Sequence, residues 1–206
     1  MYLIFEGADN VGKTTLIKAV AARIPCIVVK EPGGRQALIN EGFEPKLCGK
    51  RYPSFRGMVL GDPWMPENAR RAAFLADSLY QWEAVTKPLL DAGVTVLSDR
   101  SWISDLAYGS VLSNLSISDL YAFNNLLMKR DKGHVIYLHL PAEERAKRHS
   151  VINLMDKTDQ GALDTAYRQV FSSYFRKEEV TELCTIEPVE VLVEKVLGLL
   201  SDSSSV

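Results

Sequence analysis

Cysteine is scarce in this 206-residue chain: Cys26, Cys48 and Cys184 are odd in number, far apart and without metal-ligand spacing. They argue against a disulfide-stapled scaffold and are expected to be buried fillers in a reducing compartment. An excess of one charge is also missing, since Lys plus Arg number 24 against 26 for Asp plus Glu, a net −2. A protein that coats nucleic acid or an anionic membrane would need more positive charge than that, so any polyanion must be met locally. No apolar run approaches the ~20 residues of a membrane span, and no basic stretch followed by a long apolar one opens the chain. The expectation is a soluble, cytoplasmic protein with neither a membrane nor a nucleic-acid polymer as partner. The three histidines, His134, His139 and His149, lack metal or triad spacing. Internal repeats and Ser/Gly linkers are absent too, so residues 1–206 read as one domain with a frayed tail over about 201–206.

What is present is an alternation. Short apolar, β-branched runs at 2–5, 24–29, 94–98, 134–140 and 182–186 read as strands buried on both faces. Helical patterns fall between them at 13–23, 67–91, 118–131, 142–149, 161–179 and 188–200. Alternating strands and helices predict an α/β fold with a parallel sheet and right-handed crossovers. Ligands gather at the carboxyl ends of such strands, so the residues that follow each strand carry the functional signal.

The first of these segments is Gly7-Ala8-Asp9-Asn10-Val11-Gly12-Lys13-Thr14, which fits G-x-x-x-x-G-K-[ST]. Glycines let amide N–H groups turn towards phosphate oxygens, Lys13 adds a point charge, and Thr14 offers a hydroxyl to Mg²⁺. The nucleotide is thus expected on Gly7, Asn10, Val11, Gly12, Lys13, Thr14 and Thr15. Switch GTPases, ATP-driven motors and small-molecule kinases all use this loop, and the guanine-reading N-K-x-D of a GTPase is absent. Asp99 and Arg100 close the third strand, an acid suited to Mg²⁺ beside a guanidinium suited to a phosphate.

FEGADNVGKTT, VVKEPGG, FLADSLYQWEAVTKPLLDAGVTVLSDR and SDLAYG together resemble the thymidylate kinase family of nucleoside monophosphate kinases. The resemblance covers about 1–35 and 55–200. It implies a P-loop kinase fold, a five-stranded parallel sheet in a three-layer sandwich, and transfer from Mg·ATP to a deoxynucleoside monophosphate. It also implies a homodimer and a lid over ATP at about 142–160. By resemblance, Asp9 organises metal and acceptor phosphate, and Glu31 with Pro32 forms an acceptor-side loop. Arg56 and Arg100 hold the acceptor phosphate, Phe74 stacks on the base, and Tyr108 packs under the deoxyribose.

Four departures qualify it. Where the family has F-x-A-x-R, with the Arg on the thymine edge, this chain has Phe74-Leu75-Ala76-Asp77-Ser78. Asp105 stands where a neutral or small residue is usual, and a carboxylate there would accept from an exocyclic amine, so a cytosine-type or modified pyrimidine is an alternative acceptor to thymine. Asn10 occupies the loop position of a catalytic arginine, which leaves Arg148 in the lid as the expected source of positive charge. Residues 35–54 form an irregular acceptor-side insertion of unassigned role. Two further readings stay open: a nucleotide-binding regulator without transfer, and a deoxynucleoside kinase with Glu31 as base.

Overall fold

The computed structural model describes residues 1–33, 64–127, 132–141, 143–144 and 159–202. Arg56, Cys48, the insertion at 35–54, Arg148 and most of the expected lid lie outside them.

Five strands form one sheet: β1 (Tyr2–Glu6), β2 (Ile27–Lys30), β3 (Val96–Asp99), β4 (His134–His139) and β5 (Val180–Cys184). Every pairing is parallel, and the order is β2-β3-β1-β4-β5. The central strand, β1, is buried along its whole length, so its sequence carries apolar residues on both faces rather than alternating. The register sets Phe5 opposite Asp99. The segments that leave β1 and β3 therefore emerge side by side, and the phosphate loop meets Asp99 and Arg100 by topology alone.

Helices flank the sheet. Among them α1 (Lys13–Ala21) packs against β1, β2, β3 and the C-terminal helix α7 (Val189–Asp202). A second group comprises α2 (Glu67–Gln81), the short α3 (Lys87–Asp91), α4 (Trp102–Leu112), α5 (Ile117–Leu127) and α6 (Gln160–Tyr174). Within it α4 is the hub, packed on α2, α5 and α6. Five residues of π-helix, Trp82–Thr86, join α2 to α3, so the expected helix over 67–91 is continuous but locally widened by that bulge.

The helix α4 was not visible in the sequence. Every residue from Trp102 to Gly109 is buried, so the segment lacks the polar face that gives a helical period. Its start is locally coded all the same: Ser101 Oγ accepts from the amide of Ile103 at 3.1 Å, an N-cap. Cys26 and Cys184, expected to be buried, are free thiols of intermediate exposure, and Cys26 packs against the edge of the core. Among the described residues no helix is long and apolar enough to cross a membrane.

Candidate active site

The chain leaves β1 through Gly7 at φ +137°, where a Cβ would stand 2.2 Å from the carbonyl oxygen of Leu138 at the end of β4. Only glycine fits so close an approach of two strand ends. Asn10 at φ +62° and Gly12 at φ +97° complete the turn. Asparagine tolerates the left-handed region better than most side chains do, which gives position 10 a conformational reason for its residue. α1 then begins behind a glycine N-cap, with no acidic residue in its first turn. Its positive end is thus left without a neutralising side chain of its own, as an anion site requires.

Lys13 is buried and folds back on the loop, donating to the carbonyl oxygens of Gly7 at 2.8 Å and Ala8 at 2.6 Å. Burial first, and then the neighbouring Arg100 cation, push its ammonium down to about 7 against the opposing pull of Asp99, Asp9 and Glu6. Thr14 Oγ1 donates to Asp99 Oδ2 at 3.4 Å, and Lys30 Nζ stands 3.3 Å from the same oxygen. A hydroxyl and a carboxylate, hard oxygen donors next to a phosphate loop, are the set that Mg²⁺ accepts when phosphate oxygens and water supply the rest.

Arg100 organises the second half. It takes φ +74°, a conformation that costs a non-glycine residue of order 1–3 kcal/mol and persists only where the surroundings dictate it. Its amide donates to Phe5 O at 3.0 Å, extending the β1–β3 ladder. From there the guanidinium reaches back under the loop. Nη1 donates to Gly7 O at 3.1 Å, Ser104 Oγ at 3.0 Å and Tyr167 Oη at 3.2 Å; Nη2 donates to Asp9 Oδ1 at 2.5 Å and Tyr108 Oη at 3.2 Å. Tyr108 in turn donates to Asp9 Oδ2 at 3.1 Å. Burial raises the Asp9 carboxyl, but Arg100, Lys13 and Tyr108 outweigh it and hold Asp9 below its ordinary value. Burial opposes charge on Arg100 as well, yet Tyr108, Tyr167, Asp9 and Glu6 keep it firmly protonated. Asp9, Arg100 and Tyr108, three of the expected site residues, are thereby brought into a single cluster.

Beneath them lies a group that sequence reasoning missed. Glu6 is fully buried and accepts from Ser101 at 2.8 Å, Ser104 at 2.6 Å and Tyr167 at 3.1 Å. Burial raises its pKa, against Arg100, the two serines and Lys13. Ser104 and Tyr167 touch both Glu6 and Arg100, so they tie the buried acid to the guanidinium above it. An acid that ends an otherwise apolar, doubly buried strand was the available signal.

On the far side Glu31, joined to Pro32 by a cis peptide bond, accepts from Ser78 Oγ at 2.5 Å. Asp77 Oδ2 accepts from the amide of Gly33 at 2.7 Å. Two residues that depart from the family pattern or neighbour the departure thus fasten α2 to the loop after β2. Asp105 is paired with Arg71 at 2.9 Å and accepts from Asn124 at 3.2 Å, and the Arg71 guanidinium carbon lies 4.8 Å from the ring centroid of half-buried Phe74. Arg71 and Asn124 carried no signal in the sequence, because an Arg in a polar helix start and an Asn between apolar residues read as solvated faces.

A glycine-cradled lysine at the end of the central strand, with a strand-end Asp-Arg pair beside it, defines a P-loop phosphotransferase site. The family model described as thymidylate kinase matches residues 53–196. Among curated relatives, a thymidylate kinase of Helicobacter pylori is 30% identical over 208 residues, covering 97% of this chain and 98% of its own. One of Wolinella succinogenes is 34% identical over 151 residues, covering 73% of this chain and 70% of its own. The crystal structure of a thymidylate kinase from Ehrlichia chaffeensis superposes with a TM-score of 0.70 at 19% identity, covering 98% of both chains, a likeness of fold. The chain belongs to the thymidylate kinase family, which makes it a nucleoside monophosphate kinase.

Proposed function

We propose that this chain transfers the γ-phosphoryl group of ATP to the 5′-phosphate of a deoxynucleoside monophosphate of the dTMP type, giving the diphosphate and ADP. The observation that carries this reading is the convergence of two cations on one carbonyl oxygen. Lys13 donates to Gly7 O from the loop side and Arg100 donates to it from the strand-end side. Without substrates each cation is satisfied by backbone and by Asp9; two phosphates placed on either side of Gly7 would take over those bonds and the charge. Positioning two anions against their own repulsion is most of what such a reaction asks of a protein.

In this reading the loop amides and Lys13 hold the β- and γ-phosphates of ATP. Thr14 and Asp99 hold Mg²⁺, which when bound neutralises charge on the transferring group. Arg100, fixed by Glu6 through Ser104 and Tyr167, holds the acceptor phosphate together with Arg56, and Asp9 lines the boundary between the two phosphates. An acceptor phosphate oxygen forms the new bond to the γ-phosphorus as the bond to the β-phosphate oxygen breaks, and ADP leaves. Tyr108, with its hydroxyl held by Arg100 and Asp9, puts its ring under the sugar. Arg148 supplies the further positive charge from the lid, in the absence of an arginine at position 10. The working protein is a cytoplasmic homodimer.

The test is product identification. With ATP and Mg²⁺, dTMP is expected to yield dTDP and ADP in equal amounts, whereas thymidine yields neither. Phosphorylation of thymidine alone would refute the reading.

A further inference from the structure

Arg71 is anchored on two sides and still has a donor to spare. It is 2% exposed; Nε donates to Glu67 Oε1 at 2.8 Å and Nη1 to Asp105 Oδ1 at 2.9 Å, while Nη2 is buried without a hydrogen-bond partner among the described residues. The anchor is itself braced, since Asn124 Nδ2 donates to Asp105 Oδ2 at 3.2 Å and to Leu120 O at 3.0 Å. Space for the side chain is made by Gly109 on α4, where a Cβ would come 3.2 Å from Arg71 Cδ. A buried N–H without a protein partner is costly and calls for an explanation. The ligand side supplies one. Residues 71, 74 and 78 share one face of α2 at i, i+3 and i+7, so Arg71 points to the same side as Phe74 and Ser78. Ser78, standing where an arginine would read the base, is too short and is already turned to Glu31.

We propose that Arg71 is the base-reading residue of this chain, donating from Nη2 to a ring carbonyl such as the 4-oxo group of thymine or uracil, with Glu67 and Asp105 as its positioning residues. The inference rests on the monophosphate kinase reading above. A guanidinium donates and never accepts, so it matches a 4-oxo group and meets the 4-amino group of cytosine with donor against donor. Asp105, which as an open carboxylate would favour an exocyclic amine, instead accepts on both oxygens from Arg71 and Asn124. The buried acid thus serves a thymine-type acceptor by orienting the arginine. Phe74 lies across the guanidinium, so the stacking ring and the donor stand on the same face of α2.

The experiment is the ratio of kcat/KM for dTMP to that for dCMP, measured with ATP on the full chain. The wild type is expected to prefer dTMP and dUMP to dCMP. In the double variant Arg71→Gln/Asp105→Asn, which leaves no lone buried charge, the ratio falls about 10- to 100-fold, the range for one hydrogen bond to a charged group. Adding Ser78→Arg to that background restores it. Because both acceptors are tested on one preparation, the ratio is insensitive to the fraction folded. Arg71→Lys keeps Asp105 paired and guards against loss of the fold; it too lowers the ratio. A wild type that prefers dCMP, or an unchanged ratio in either variant, overturns the inference and leaves the kinase reading standing. ADP formation that no monophosphate stimulates removes both.

Discussion

Binding of ATP to the free protein above pH 7 is expected to draw a proton from solution. Lys13 titrates at about 7 because burial strips water from its ammonium and Arg100 repels it, with Asp99, Asp9 and Glu6 only partly compensating. At pH 8 a group of that pKa is about nine-tenths neutral. The β- and γ-phosphates bring negative charge to Nζ and restore the ammonium, so roughly 0.9 proton is taken up per ATP at pH 8, falling towards zero below pH 6. Titration calorimetry with Mg·ATP in buffers of different ionisation enthalpy reads this directly as the slope of observed heat against buffer heat. A zero slope at pH 8 would refute the reasoning. The same depression fixes a stability trend. The unfolded chain titrates Lys13 near 10.5, so between pH 7 and 10.5 it holds a proton that the folded chain does not. Stability contributed at this site is therefore lowest below pH 7 and rises with pH across that window. Lys13→Met is expected to be more stable than wild type at pH 6.5 by roughly 2–4 kcal/mol, less than the full worth of the shift because two hydrogen bonds go with the ammonium. By pH 10 the gap should close.

Arg100→Lys keeps a charge but cannot span Asp9, Tyr108, Ser104, Tyr167 and Gly7 at once; acceptor KM is expected to rise tenfold or more while ATP affinity, by calorimetry, holds. A fall in ATP affinity with acceptor KM unchanged would place Arg100 on the wrong phosphate. Gly7→Ala sets a methyl 2.2 Å from Leu138 O at φ +137° and should cost more than about 3 kcal/mol in denaturant unfolding. Gly198→Ala, in exposed helix with nothing within 4 Å, should instead add up to about 1 kcal/mol.

Those parts of the molecule that were legible in the sequence carry one strong local signal each. The central strands β1, β3 and β4 showed because a doubly buried parallel strand is apolar along most of its length. β2 and β5, expected to be buried on both faces, lie at the sheet edges and are only partly buried. The phosphate loop showed because its glycines are forced by backbone geometry. Their ends shifted by a few residues; the strand expected over 182–186 runs Val180–Cys184. What stayed hidden depends on non-local contact. α4 is buried on every side from Trp102 to Gly109, so no polar face gives it a period although it carries Asp105 and Tyr108. Glu6 reads as the polar end of a strand until Ser101, Ser104 and Tyr167 are seen around it, two of them on α4 and α6. Arg71 reads as helix surface until Asp105, 34 positions away in sequence, is found opposite it. Single positions such as Ser78 and Asp105 signalled that the base site departs from the family pattern, but not that the departure is filled from about two turns further back on α2.

The central claim is that Lys13 and Arg100 hold two phosphates that exchange a phosphoryl group across Gly7. Incubation with ATP labelled at the γ-phosphorus, Mg²⁺ and unlabelled dTMP tests it most directly. The account expects the label in the β-phosphate of dTDP, with ADP formed in equal amount and little label as inorganic phosphate. Label appearing only as inorganic phosphate, whether or not dTMP is present, would contradict it.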